Sequence, residues 1–335
     1  MPAVAPSALI NAIMEAFQLS GGAAFYVSKK LQTHPREFVV EYLGDTFSVW
    51  IYIWTLTGGG RDTLPDEFRV QLTSVSSPFA FNPKGYTVLM GYHPDLGLFA
   101  GFDIVKHRTF TLGSSSVQIN INALHEALQT GLSFHRKTND EIAVGIRPDQ
   151  IVNYIISADL LHKYGPEAQL TALLKKAADP TLGIDTSIDH LSANRRKIIN
   201  EVSRYSRSAN FRKSVLNAYD NRCAVTRAQM KLVDAAHILP VPAEGSSDHV
   251  SNGITLAPTL HRAYDNCLIY LDTDLVMRLN KERANQLAKD GLDGGLKSFA
   301  GLLGKRIHLP HDTAQRPNPE FIKRANGYRR IPGFK

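Results

Sequence analysis

A chain of 335 residues is long enough for two domains, each burying its own core. With 43% hydrophobic and 21% charged residues its composition is that of an ordinary globular protein, which sets aside disorder and fibrous repeats. No apolar run reaches the ~20 residues of a membrane span, and the N-terminus lacks the basic start and cleavage site of a signal peptide, so a cytoplasmic protein is expected. Two cysteines, Cys223 and Cys267, can build neither a disulfide framework nor a four-cysteine zinc site.

The net charge of +7 is unevenly spread. Residues 1–190 hold 14 Lys+Arg against 18 Asp+Glu, whereas residues 191–335 hold 24 against 13. A concentrated positive field suits a polyanion, because neutralising phosphates releases condensed counterions. A solvated basic surface would account for the charge equally well.

In chain order, residues 9–17 read as a first helix. Residues 37–42, 47–56, 68–74, 86–91 and 98–105 are then short runs of aromatic and β-branched residues, separated by turn material such as Gly44-Asp45 and His93-Pro94-Asp95. They predict an antiparallel sheet or small barrel, with a helix over 123–129 packed on it. From residue 150 the period becomes helical: Ile151, Ile155, Ile156 and Leu160 share a face, Pro166 suits a first turn, and Phe211, Val215, Leu216 and Tyr219 form a stripe behind Asn210 as a cap. Residues 179–189 read as the linker. The expected organisation is α+β: a β-rich candidate recognition region over 1–150, a helical connector over 151–205 and a C-terminal ββα domain over 206–335. Arg204, Arg207, Arg212 and Lys213, with Arg195, Arg196 and Lys197 before them, are candidates for DNA-backbone contacts, a solvated helix face being the alternative.

The chemistry concentrates in residues 211–272. The pattern there is strand (233–239), polar loop (244–248), strand (254–257) and a helix opening at Thr259. His237, at the end of the first strand, can accept a proton near neutral pH, as a water-activating base must. His261 and Asp265 are four residues apart, so on a helix they share one face and can grip one divalent cation, Mg²⁺ or Mn²⁺. A cation there stabilises charge on a scissile phosphate and a departing oxygen. Asn252 stands before the second strand, where an amide can tie the loop to the strand bearing the base.

The runs Ala235-Ala236-His237-Ile238-Leu239-Pro240, Asn252-Gly253-Ile254-Thr255-Leu256 and His261-Arg262-Ala263-Tyr264-Asp265 resemble the HNH, or ββα-metal, nucleases, in particular the restriction-type branch. A looser likeness continues to Gly304-Lys305-Arg306-Ile307-His308-Leu309-Pro310 and Pro319. The resemblance implies that His237 is the general base, Asn252 the orienting residue and His261 a metal ligand, with Asp265 as the second ligand; the basic Arg262 between them is a further candidate for DNA contact. Two departures stand out. Ala236 occupies a position where many such enzymes carry a further ligand, so Asp234 or water must complete the shell. Cys223 is followed by Ala224-Val225-Thr226 rather than a second cysteine, so no structural zinc is expected.

Weaker candidates lie in the first half. Residues 57–61 form a Gly-rich run without the Lys-Ser/Thr of a phosphate loop, and read as a hairpin loop, although Arg61 could touch DNA. Asp66, Asp103 and Lys106 are poorly spaced for a PD-(D/E)xK centre, and Trp50, Tyr52 and Trp54 alternate along one strand as core residues do. The sequence thus favours a metal-dependent restriction-type endonuclease acting on double-stranded DNA, with a modified base as one form of target. The alternatives are a sensor-effector whose N-terminal domain binds a ligand or protein and licenses nonspecific degradation, and a DNA-binding module without cleavage. Cutting both strands with one centre per chain calls for two chains, so a homodimer is expected.

Overall fold

Two clusters of buried apolar side chains organise the first half of the chain, one on each face of a seven-stranded sheet. The computed structural model describes residues 3–28, 30–31, 33–59, 63–113, 115–182 and 188–334. It divides into two units, Met1–Ala209 and Asn210–Lys335. The first is formally neutral, with 19 Lys+Arg against 19 Asp+Glu, so the whole net +7 belongs to the second.

In the first unit α1 (Pro6–Leu19) is followed by β1 (Ala23–Tyr26), β2 (Arg36–Tyr42), β3 (Asp45–Thr55), β4 (Thr57–Gly58), β5 (Glu67–Gln71), β6 (Gly85–His93), β7 (Leu98–Phe102) and β8 (Ser116–Asn120). Then come α2 (Ile121–Thr130), β9 (Leu132–Arg136), β10 (Ile142–Ile146), α3 (Ile151–Tyr164) and α4 (Ala168–Ala178). The large sheet has the order β1-β2-β3-β6-β7-β10-β9, and β4-β5-β8 form a second, three-stranded sheet. Alternation along β3 explains the two cores: Val49, Ile51 and Ile53 face α1 and α3, while Tyr52 joins Leu56, Val70 and Phe79 on the other side.

One expectation is corrected. The sheet is mixed rather than antiparallel, because β3 and β6 pair in parallel from Ser48↔Gly85 to Thr55↔Tyr92. The connection between them, residues 56–84, is long enough to return the chain to the starting end of the sheet, which a tight turn cannot do. The segment read as linker, residues 179–189, falls within the first unit, and its residues 183–187 lie outside the described residues.

Helix α5 (Ala193–Ala218) runs through the division between the units. Asn210 is therefore an interior helical residue and not a cap, since no Gly or Pro interrupts the 26-residue run. Its first half gives Ile198, Ile199 and Val202 to the sheet core, and its last two turns give Phe211, Val215 and Leu216 to the core of the second unit. That unit continues with β11 (Asp234–His237), β12 (Gly253–Leu256), α6 (Pro258–Asp265), β13 (Ile269–Leu271), β14 (Met277–Leu279), α7 (Lys281–Lys289), α8 (Leu296–Ala300) and α9 (Pro319–Tyr328). Strands β11 and β12 pair antiparallel, as do β13 and β14. Among the described residues no helix is long and apolar enough to cross a membrane.

Two histidines of the first unit have strongly lowered pKa values. His34 stacks on Trp54 with ring centroids 4.1 Å apart, and burial, helped by the charge of Arg36, lowers its pKa to about 3. His162 takes part in a 3.0 Å hydrogen bond with the Tyr154 hydroxyl, and burial holds its pKa below the ordinary value.

Candidate active site

Strand β11 starts at Asp234 and ends at His237; β12 returns beside it with Gly253 opposite His237 and Leu256 opposite Asp234. Pro258 then begins α6, at a position where a missing N–H costs no helical hydrogen bond. The order strand, loop, strand, helix is the one the sequence predicts for these residues.

Asn252 closes the loop between the strands. Its side chain is fully buried, and its Oδ1 accepts from the Leu239 N–H at 2.8 Å. Its Nδ2 donates to the carbonyls of Leu239 at 3.1 Å and Ser247 at 2.9 Å, and to Ser246 Oγ at 3.3 Å. One amide thus satisfies several polar groups that burial would otherwise leave unpaired, and fixes the loop beside His237.

The imidazole of His237 lies flat on the Phe211 ring, with centroids 3.7 Å apart and planes 10° from parallel. Its Nε2 is 3.0 Å from Asp248 Oδ1. The side chain keeps 19% exposure, enough for a water or a phosphate to reach one edge. Helix α5 supplies Phe211 and packs hard against the hairpin here. A Cβ on Gly253 would come within 2.2 Å of Val215 Cγ2 and 3.1 Å of Phe211 Cζ. The glycine has an ordinary φ of −120°, so close approach, not turn geometry, demands it.

On α6, His261 Nε2 and Asp265 Oδ2 are 3.4 Å apart, on one helical face as their spacing predicts. They line a cavity of about 1000 Å³ together with Asp234, Arg262 and Arg283. His237 is not among the residues lining it. Asp234 Oδ1 is paired with Arg212 Nη2 at 3.0 Å, so as a ligand it would have to give up that ion pair. Among the described residues no group of three or more His, Cys, Asp and Glu stands close enough to hold a metal ion. His261 and Asp265 offer one imidazole nitrogen and one carboxylate. That donor set fits a divalent cation that completes its shell with waters and substrate phosphate oxygens.

The basic candidates divide between the units. Arg204 and Arg207 are exposed near the middle of α5, in the part belonging to the first unit, with the Arg204 guanidinium 4.7 Å from the Tyr205 ring centroid. Lys213 and Arg262 are exposed in the second unit. Arg61 lies outside the described residues. Asp66, Asp103 and Lys106 do not assemble: Asp103 accepts from the backbone of Val105 and Lys106, and Lys106 Nζ lies 3.5 Å from the buried Glu141. Asp66 and Asp103 line separate cavities.

Sequence reasoning did not assign Asp248, Phe211 or Arg283 to the site. Arg283 follows the Asn280 cap of α7, outside the motif, and only the fold carries it to the cavity. The signal for Asp248 was an acidic residue in the loop between the two strands, indistinguishable there from a solvated turn residue.

Residues 223–272, the hairpin and α6 among them, match the family model described as HNH endonuclease. The C-terminal unit carries an HNH endonuclease domain. The HNH match ends within β13 and its loop, before α7 and Arg283. Residues 47–155, from β3 into α3, match a model described as methylase-associated X1. No curated protein matches the chain. Among solved structures it is similar to one described as a modification dependent TagI restriction endonuclease. That match has 13% identity and a TM-score of 0.28, over 85% of this chain and 82% of that one.

Proposed function

We propose that the chain is a metal-dependent restriction-type endonuclease in which the HNH domain hydrolyses phosphodiesters of double-stranded DNA. The observation carrying this reading is that one short ββα element presents a partly exposed histidine at a strand end and a His–Asp pair on the following helix.

In this reading His237 takes the proton of the attacking water, held in plane by Phe211. Asn252 keeps the loop and the strand end in register, so that the base does not drift from the phosphate. His261 and Asp265 would hold the divalent cation, with Asp234 as a weaker third candidate. A cation bound there would supply Lewis-acid stabilisation of the charge that develops on the phosphate and on the departing 3′-oxygen. Arg262, Arg212 and Lys213 anchor neighbouring phosphates, and the products carry 5′-phosphate and 3′-hydroxyl ends. The net +7 on the second unit supports nonspecific attraction to the backbone. Two chains acting together, one per strand, make the double-strand cut.

The first unit, without net charge, is a poor electrostatic clamp and is assigned to target selection. The description methylase-associated X1 for residues 47–155 supports a restriction-modification setting, with a modified base as one form of target. The test is incubation of the purified protein with modified and unmodified plasmid, with and without divalent metal. Metal-dependent cutting of one plasmid only is the expected result. Cutting of both alike makes the first unit something other than a reader of modification, and no cutting under any condition reduces the HNH domain to a binding scaffold.

A further inference from the structure

Besides Asn252 and the residues of the HNH pattern, one acidic side chain reaches the base itself. Asp248 Oδ1 stands 3.0 Å from His237 Nε2. A carboxylate can only accept, so the shared proton resides on Nε2 and the lone pair of the neutral ring is left on Nδ1. The Phe211 stack at 3.7 Å fixes the plane of the ring, and Asp248 fixes its rotation within that plane. Neither contact alone does both.

We propose that Asp248 is the positioning residue of the cleavage centre: it holds His237 in the Nε2–H tautomer and so commits Nδ1 to accept the proton from water. This rests on the reading of His237 as the base. The carboxylate also offsets the charge that His237 acquires when it takes that proton, so the interaction strengthens along the reaction. Balance is simple: the water loses a proton to Nδ1, its oxygen bonds to phosphorus, the P–O3′ bond breaks, O3′ takes a proton from a solvent water to become the 3′-hydroxyl, and the Nδ1 proton returns to solvent. Asp248 itself stays ionised and transfers nothing. Its place in the loop, eleven residues after His237 and four before Asn252, lets the Asn252 clamp position the acid as well as the strand.

The test uses full-length protein with ¹⁵N-labelled imidazoles. His237 is identified as the resonance lost in His237→Gln, and its tautomer is read from two-bond ¹H–¹⁵N correlations in wild type, Asp248→Ala and Asp248→Asn. Asp248 is 37% exposed, so neither change opens the core, and thermal melts check that the fold is kept. Wild type should show the Nε2–H tautomer and Asp248→Ala a mixture. Its kcat should fall on the order of 10–100-fold, as for loss of other orienting partners, with KM for DNA unchanged or lower. Asp248→Asn, which keeps an acceptor but no charge, should keep the tautomer and recover part of the rate.

An unchanged tautomer in Asp248→Ala overturns the proposal, and so does a changed tautomer with wild-type kcat. Failure of the underlying reading is distinguishable, because it would appear as wild-type cleavage by His237→Gln whatever the tautomer does.

Discussion

His237 and Gly253 face each other across the β11–β12 ladder, and the Val215 side chain of α5 fills the space where any larger residue at position 253 would put its Cβ, 2.2 Å from Val215 Cγ2. The helix that carries Phe211 onto the imidazole is seated on that bare stretch of backbone. Gly253→Ala must push α5 outward, because Val215 is fully buried and has no room to yield. Overpacking of this kind costs about 1–3 kcal/mol. The expected outcome is a lower urea midpoint for the second unit, together with a cleavage rate reduced beyond what stability explains. Wild-type stability in Gly253→Ala would mean that the close approach is not maintained in solution.

Chelation should stop the reaction. Asp265→Ala should raise the metal concentration for half-maximal rate, since it leaves His261 as the one ligand of the pair. Asp234→Ala should have a smaller effect, because that carboxylate is already engaged by Arg212. Metal titrations of the three proteins, read as initial cleavage rates, decide the ranking; the reverse order would move the cation toward β11.

Much of the HNH site was legible because its residues are close in sequence. His261 and Asp265 share a face through helical period alone, and Asn252 is thirteen residues from the Leu239 backbone it clamps. The Phe211 stack was not legible: its stripe with Val215 and Tyr219 announced a buried helix face but not what lay on it. In the first unit the strand positions of β2, β3, β5, β6 and β7 follow from short aromatic and β-branched runs bounded by turn residues. The parallel β3–β6 pairing does not, since pairing partners are chosen by the path of a long connection and leave no mark on either strand.

Acid should weaken the first unit before carboxylate protonation does. His34, with its pKa lowered to about 3 by burial and by Arg36, and His162, lowered by burial, are neutral in the native state. Unfolded, both return to a value near 6.5. The unfolded chain therefore binds more protons as pH falls below about 6.5, and stability declines from there until the native groups themselves titrate, about pH 3 for His34. Each histidine contributes a slope of up to about 1.4 kcal/mol per pH unit in that window. Glu141 adds its loss only below the ordinary carboxylate range. Burial opposes its ionisation, but His107 and Lys137 together hold its pKa well down. Chemical denaturation of wild type and His162→Gln between pH 7 and 4 checks this, and the variant should give the shallower decline. Equal slopes would mean that His162 is as open to protons folded as unfolded.

The division of labour between the units gives the last prediction. An HNH centre contacts phosphate and reads little sequence, so selectivity must come from residues outside it. The first unit has no net charge with which to hold DNA nonspecifically, and the second carries net +7, Arg212, Lys213 and Arg262 among its cations. A fragment of residues 206–335 keeps Phe211, Val215 and the whole second core. It is expected to nick DNA weakly and without preference, and its affinity should fall steeply as salt rises, because phosphate neutralisation is all that remains. The full chain should discriminate between targets at the same salt. Cleavage assays on a mixed set of modified and unmodified duplexes compare the two. If the fragment cuts the same sites as the full chain, selectivity resides in the HNH domain, and the first unit serves assembly or regulation instead.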